Sequence, residues 1–229
     1  MEPQKYGQLD FSTPARRIGI GRRSVTGHVN VKGRAIPFES SLERDFLVLL
    51  DFDRTVWSVD AQPVRIPYRA PNGRRISYVP DFFVFYDATN LRVLYEIKYR
   101  EDLRNDWVNL RPRLRAGVGY ARQNGMRFSI MTDYEIRGPY LENVQFLRRY
   151  RDRPREEGIE EQLVRTLAIL GVSSPEALLI ASFADDEWRL KAIGVLWRLI
   201  AIQRVVADLF DPLSMKTPIW VVIGEGFLP

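Results

Sequence analysis

Apolar residues return along the chain with two periods, and the switch between them predicts the elements. In "SSLERDFLVLLDFD" (residues 40–53), Leu42, Phe46 and Leu49 recur at helical spacing, and Ser40 stands where an N-cap is needed, so the pattern predicts a helix. "VWSVDAQPVRIPYRA" and "RRISYVPDFFVFY" read as strands joined by the turn "PNG", and "LRVLYEIKYR" as the next strand after a four-residue "DATN" loop. "LRPRLRAGVGYARQNG" predicts a helix with Pro112 near its start, "MRFSIMTDYEI" a strand and "YLENVQFLRRYRD" a helix. Helix, three strands, helix, strand, helix is the order of a mixed sheet with helices against it. After the charged run "RRYRDRPREEG", three short helices are expected, with Ser174 as a cap and Pro175 at the first helical position. Two strands follow, in "AIQRVVADL" and "TPIWVVIGEG". Three helices and a two-strand ribbon make a small winged-helix-like domain, a shape that binds DNA or protein.

This divides the 229 residues into a basic N-terminal arm (1–37), an α/β domain (38–150) and the C-terminal domain (151–229). The arm carries Lys5, Arg16, Arg17, Arg22, Arg23, Lys32 and Arg34 against only Glu2 and Asp10. The whole chain has a formal net charge of +5, mostly from arginine, so a polyanionic partner fits and a solvated basic surface also explains it. No cysteine is present, which excludes disulfides and thiolate metal sites. The single histidine, His28, excludes a multi-histidine zinc site and reads as solvated. No phosphate-cradling glycine loop is present, which disfavours a nucleotide-driven motor. The opening residues lack a signal-peptide apolar core, and the most apolar late run is broken by Arg198, Gln203 and Arg204, so no membrane association and a cytoplasmic location are expected.

Three polar residues interrupt the apolar hairpin of "YVPDFFVFYDATNLRVLYEIKYR". With Tyr86 facing Leu91 across the loop, Asp81 is expected directly opposite Glu96, with Lys98 on the face of Glu96 and diagonal to Asp81. Facing carboxylates repel unless a positive charge lies between them. A hard divalent cation such as Mg²⁺, or Mn²⁺ in its place, fits that pair; strand carboxylates balanced by Arg92, Lys98 or Arg100 are the other reading. Such a metal polarises a phosphodiester and lowers the pKa of water, and Lys98 is a candidate to orient or help deprotonate that water or to offset charge on phosphorus. Glu43 is the third candidate acid. Two readings are open for it: Ser40-Ser41-Leu42-Glu43 is a capping box, yet Glu43 also shares a helical face with Leu47 and Leu50.

Glu43, then Pro80-Asp81, then Glu96-Ile97-Lys98 resembles the PD-(D/E)xK superfamily, whose restriction-endonuclease-like fold is a mixed sheet flanked by helices. More narrowly, "SSLERDFLVLLDFD", "AQPVRIPY", "YVPDFFVFY", "YEIKYRED", "RFSIMTDYEIR" and "LENVQFLRRYR" resemble the TnsA family, over roughly residues 35 to 225. The resemblance implies an endonuclease that cuts the non-transferred strand at the 5′ ends of a transposon. It also implies partners: double-stranded DNA at those ends, a DDE transposase subunit (TnsB-like) that cuts and joins the 3′ ends, and an AAA+ ATPase regulator (TnsC-like), all in the prokaryotic cytosol. On its terms Asp81, Glu96 and Glu43 bind Mg²⁺ and Lys98 serves the attacking water. One residue departs from the family: TnsA members often carry Gln where this chain has Glu96, while glutamate is the general superfamily choice.

Arg100, Arg104, Arg111, Arg113 and Arg115 follow Lys98 directly and, with Lys32 and Arg34 of the arm, are the candidate DNA contacts; a solvated helix face also accounts for them. Two other functions stay open: a free-standing nuclease of restriction or repair type, and a catalytically idle DNA-binding adaptor.

Overall fold

The computed structural model describes residues 25–70 and 72–221. Two compact units divide the chain between Arg137 and Gly138.

The first unit opens with an antiparallel hairpin of β1 (Gly27–Val31) and β2 (Arg34–Phe38). Its two-residue turn, Lys32-Gly33, has positive φ at both positions (50° and 82°), the geometry that matches strand twist. Val29, Val31, Ile36 and Phe38 alternate onto a buried face. This corrects the expected extended arm: its last third is an ordered hairpin, built on an alternation that its charges obscure. Residues 1–24 of the arm lie outside the described residues. Helix α1 (Ser41–Phe52) follows, with Ser40 Oγ accepting from the Glu43 amide and Leu42, Phe46, Leu47 and Leu50 buried.

Each of the next two expected strands is split. β3 (Val56–Ala61) stops at Gln62, whose φ of 49° and following Pro63 break the ladder, and β4 (Ile66–Arg69) resumes beyond. β5 (Arg75–Tyr78) stops before Pro80, which has no amide to donate, and β6 (Phe82–Tyr86) begins after it. β4 and β5 pair only with each other. β7 (Leu91–Ile97) pairs antiparallel with β6, and β8 (Arg127–Met131) lies parallel to β7, giving a mixed sheet in the order β3-β6-β7-β8. The central strands are apolar on both faces: Phe82, Phe83, Val84, Phe85, Val93 and Leu94 are all buried.

A parallel neighbour requires a crossover. It is made by α2 (Arg100–Asn105) and α3 (Trp107–Gln123), with Ala121 packing on Phe83, Phe85, Leu94 and Met126. Pro112 sits in the interior of α3, not near its start, because the helix begins at Trp107. Gly117 is required by packing: a Cβ there falls 2.5 Å from the Phe128 ring. The strand predicted to run to Ile136 ends at Met131. Thr132 caps α4 (Asp133–Ile136) in a capping box with Glu135. A mixed α/β sheet with helices against it is the restriction-endonuclease-like architecture.

The second unit holds α5 (Pro139–Arg151), α6 (Glu157–Leu170), β9 (Val172–Ser173), α7 (Pro175–Ser182), α8 (Asp186–Ala201), β10 (Val206–Ala207) and β11 (Ile219–Trp220). α5 falls here and not with the α/β domain, since its Phe146 packs edge-on against Trp197 of α8 at 5.4 Å. The strands form an antiparallel sheet, β10-β11-β9. β9 is an addition to the expected pair, and Ala201, expected in a strand, completes α8. Asn143 of α5 is buried and donates to the carbonyls of Leu209 (2.9 Å) and Asp211 (2.8 Å) while accepting from the Leu213 amide (3.0 Å). Buried Glu160 of α6 pairs with Arg155, Arg198 and Arg204. Among the described residues no helix is long and apolar enough to cross a membrane.

Candidate active site

The hairpin has the four-residue Asp87–Asn90 loop and pairs from Tyr86↔Leu91 to Phe82↔Tyr95. Asp81 lies one step beyond the last pair and is not a ladder partner of Glu96. Pro80 has released the preceding chain, so Asp81 takes its own bonds: its amide donates to the Tyr95 carbonyl (3.0 Å) and its carbonyl accepts from the Gln62 amide (2.8 Å). Its carboxylate then reaches past Glu96 to accept from the Ile97 amide at 2.7 Å. The side chain is thereby held over the end of β7.

Glu96 is buried inside β7, and both its oxygens accept hydrogen bonds: Oε2 from the Tyr78 hydroxyl (2.7 Å) and Oε1 from Arg113 Nη2 (3.1 Å). Lys98 follows the strand, half-buried, its amide donating to the Met131 carbonyl at 3.1 Å. Glu43, half-buried in the first turn of α1, does both things that its position allows. Its Oε2 accepts from the Glu39 amide (2.7 Å) and its Oε1 from Ser40 Oγ (3.1 Å), while its charge reaches the other acids.

The electrostatics join these groups. Burial holds the Asp81 carboxyl well above the usual range, the charges of Glu96 and Glu43 push it further, and the Ile97 amide and the Lys98 ammonium oppose the rise. Burial also raises Glu43, against the Glu39 amide and the Ser40 hydroxyl, with Glu39 and Glu96 adding to the rise. Burial, followed by the Glu96 charge, keeps the Tyr78 hydroxyl protonated as a donor. Three acids crowded in a site that resists their charge form a local excess of negative potential, with Lys98 beside it.

An oxygen-only donor set with unbalanced negative charge fits a hard divalent cation at Asp81 and Glu96. Among the described residues, however, no group of three or more His, Cys, Asp or Glu is arranged as a formed metal cluster. The oxygens of Glu43 are turned onto its helix start, so it contributes charge to the site and not an aligned ligand.

The candidate DNA contacts separate into three groups. Lys32 and Arg34 are exposed but paired within the chain: Lys32 Nζ donates to the Asp53 carbonyl (2.7 Å) and Arg34 pairs with Asp60 (3.0 Å). Arg113 turns inward to Glu96. Arg100, Arg104, Arg111 and Arg115 are exposed; Arg100 lies over the Tyr134 ring at 5.1 Å. Arg111 and Arg115, with Arg122, line one exposed stripe of α3 at helical spacing. Tyr78 and Arg122 were not among the candidates. Tyr78 gave no local signal, since its bond to Glu96 joins the end of β5 to β7. His28 is exposed on β1, as expected.

No curated protein matches the chain. Residues 53–133 match the family of TnsA-like endonuclease N-terminal domains. That span begins after Glu43 and contains Tyr78, Asp81, Glu96, Lys98 and Arg113. The residues that converge at the end of β7 thus lie within the span that is similar to TnsA-like endonuclease N-terminal domains.

Proposed function

We propose that this protein is a Mg²⁺-dependent DNA endonuclease that cuts the non-transferred strand at the 5′ ends of a transposon. It works beside a DDE transposase subunit of TnsB type and an AAA+ ATPase of TnsC type, in the prokaryotic cytosol. The observation that carries the reading is the convergence of Asp81, Glu96 and Lys98 at one strand end inside a TnsA-like span. The order α6-β9-α7-α8-β10-β11 supports reading the second unit as a winged-helix-like module for DNA or partner subunits.

Asp81 and Glu96 hold the cation, which when bound supplies Lewis-acid polarisation of the scissile phosphodiester and acidifies water. Asp81 is pre-set for this by the Ile97 amide, so little reorganisation is needed when DNA arrives. The Lys98 ammonium orients the attacking water and offsets the charge that grows on the phosphorane. The exposed arginines of α3 place the backbone by its phosphates, without reading bases. Glu43 strengthens the negative field from the start of α1.

Strand cleavage of transposon-end DNA, assayed with the partner subunits present, tests this. Asp81→Ala abolishes Mg²⁺-dependent cleavage and leaves DNA binding largely intact. Cleavage at the wild-type rate by that variant sinks the site. Wild-type protein that binds DNA and never cuts it supports the idle adaptor instead. Cleavage without the partner subunits supports a free-standing nuclease.

A further inference from the structure

Glu96 is held by two side chains from outside its own hairpin. Tyr78, the last residue of β5, donates to one oxygen at 2.7 Å, and Arg113, from α3, donates to the other at 3.1 Å. The Arg113 guanidinium lies over the Tyr78 ring, 5.8 Å from its centroid, so the two donors brace each other. Tyr78 is 5% exposed and Glu96 3%, and the Tyr78 ring meets Phe128 edge-on at 6.5 Å. The Tyr78 ring does not rotate into water without opening its packing against Phe128, and Arg113, half-buried, is steadied by that ring. Tyr78 also stands three residues before Asp81, so one short segment delivers a support for Glu96 and the other acid of the site.

A glutamate has three side-chain torsions, and a ligand free to rotate binds a cation with loss of conformational entropy. Outer hydrogen-bond partners remove that freedom in advance, which is how they raise the affinity of metal sites. We infer that Tyr78 and Arg113 are positioning residues of the nuclease site, which fix the plane of the Glu96 carboxylate and set the site's affinity for a divalent cation. The inference rests on the nuclease reading above. It also gives Arg113 a different task from Arg111 and Arg115: it acts on Glu96 and not on a phosphate.

Two substitutions that conserve charge test it in the full-length protein. Tyr78→Phe removes one hydroxyl and leaves the ring; Arg113→Lys keeps the charge and loses the planar fork. Mn²⁺ affinity is measured by calorimetry without DNA, DNA affinity by fluorescence anisotropy, and the fold by thermal unfolding of the metal-free proteins. Each variant binds Mn²⁺ about tenfold more weakly than wild type, while DNA affinity and the metal-free transition stay close to wild type. Wild-type Mn²⁺ affinity in both variants overturns the inference and leaves the nuclease reading standing. Weakened DNA binding by Arg113→Lys with unchanged Mn²⁺ affinity also overturns it, by making Arg113 a phosphate contact. A wild-type protein that takes up no Mn²⁺ at all overturns the nuclease reading and the inference with it.

Discussion

Gly117 and Gly119 lie two residues apart in α3, and a methyl group added to each meets different surroundings. At Gly119 it finds nothing within 4 Å; at Gly117 it falls 2.5 Å from Phe128 Cε2, 3.0 Å from Cζ and 3.1 Å from Cδ2. Replacing a helical glycine by alanine removes backbone entropy from the unfolded chain, a gain of about 0.8–1 kcal/mol. Gly119→Ala receives that gain in full. At Gly117 the ring must move first, and Phe128 is confined by the Phe83–Leu94 cluster on one side and the Tyr78 ring on the other. Overpacking of this kind costs about 1–3 kcal/mol. With a cost of about 2 kcal/mol against a gain of about 0.9, Gly117→Ala is destabilised by about 1 kcal/mol, so the two variants differ by about 2 kcal/mol. For a chain of this size that separates their melting temperatures by about 4–8 °C. Urea and thermal unfolding of the metal-free proteins, followed by circular dichroism, reads both quantities. Equal stabilisation by the two substitutions refutes the reasoning, because it means that the α3–β8 contact gives way at no cost.

The other predictions concern charge and one buried amide. Asp81 titrates well above its ordinary 3.8 in the folded protein, so the native state keeps a proton that the unfolded chain releases. Metal-free stability therefore falls as pH rises from about 4 through the folded titration range. Asp81→Asn lessens this fall, leaving the part that comes from Glu43, and is the more stable protein at pH 8, and urea titrations across pH show it; a parallel pH profile for both proteins contradicts it. Asn143→Ala strips three hydrogen bonds that tie α5 to residues 209–213. It leaves buried backbone groups unpaired and destabilises by about 3 kcal/mol, read from urea midpoints. Arg111→Gln with Arg115→Gln lowers the slope of log binding constant against log salt by about 2, as expected for two lost phosphate contacts. Arg34→Gln leaves that slope unchanged, because Arg34 is committed to Asp60.

The sheet hairpin was legible because its information is local: a four-residue loop fixes the register, and alternation then places every side chain from Tyr86 to Tyr95. What the register could not give was the end of the ladder, where Pro80 frees the chain and lets Asp81 bond the Ile97 amide instead of facing Glu96. The split of the two long strands has the same origin, at Gln62-Pro63 and Val79-Pro80, where backbone conformation overrides side-chain pattern. Glu43 was ambiguous by nature, since capping and charge effects act through different distances and both occur. Tyr78 and the inward turn of Arg113 were illegible. Both depend on contacts between β5, α3 and β7, and no periodicity along one segment reports which of five arginines points into the protein.

Crystals of the full-length protein grown with Mn²⁺ and examined by anomalous scattering show whether Asp81 and Glu96 hold a cation. One peak is expected in coordination range of the Asp81 and Glu96 carboxylates, about 2.0–2.3 Å from each, near Lys98, and lost in Asp81→Ala. A well-ordered site without a peak between Asp81 and Glu96 contradicts it.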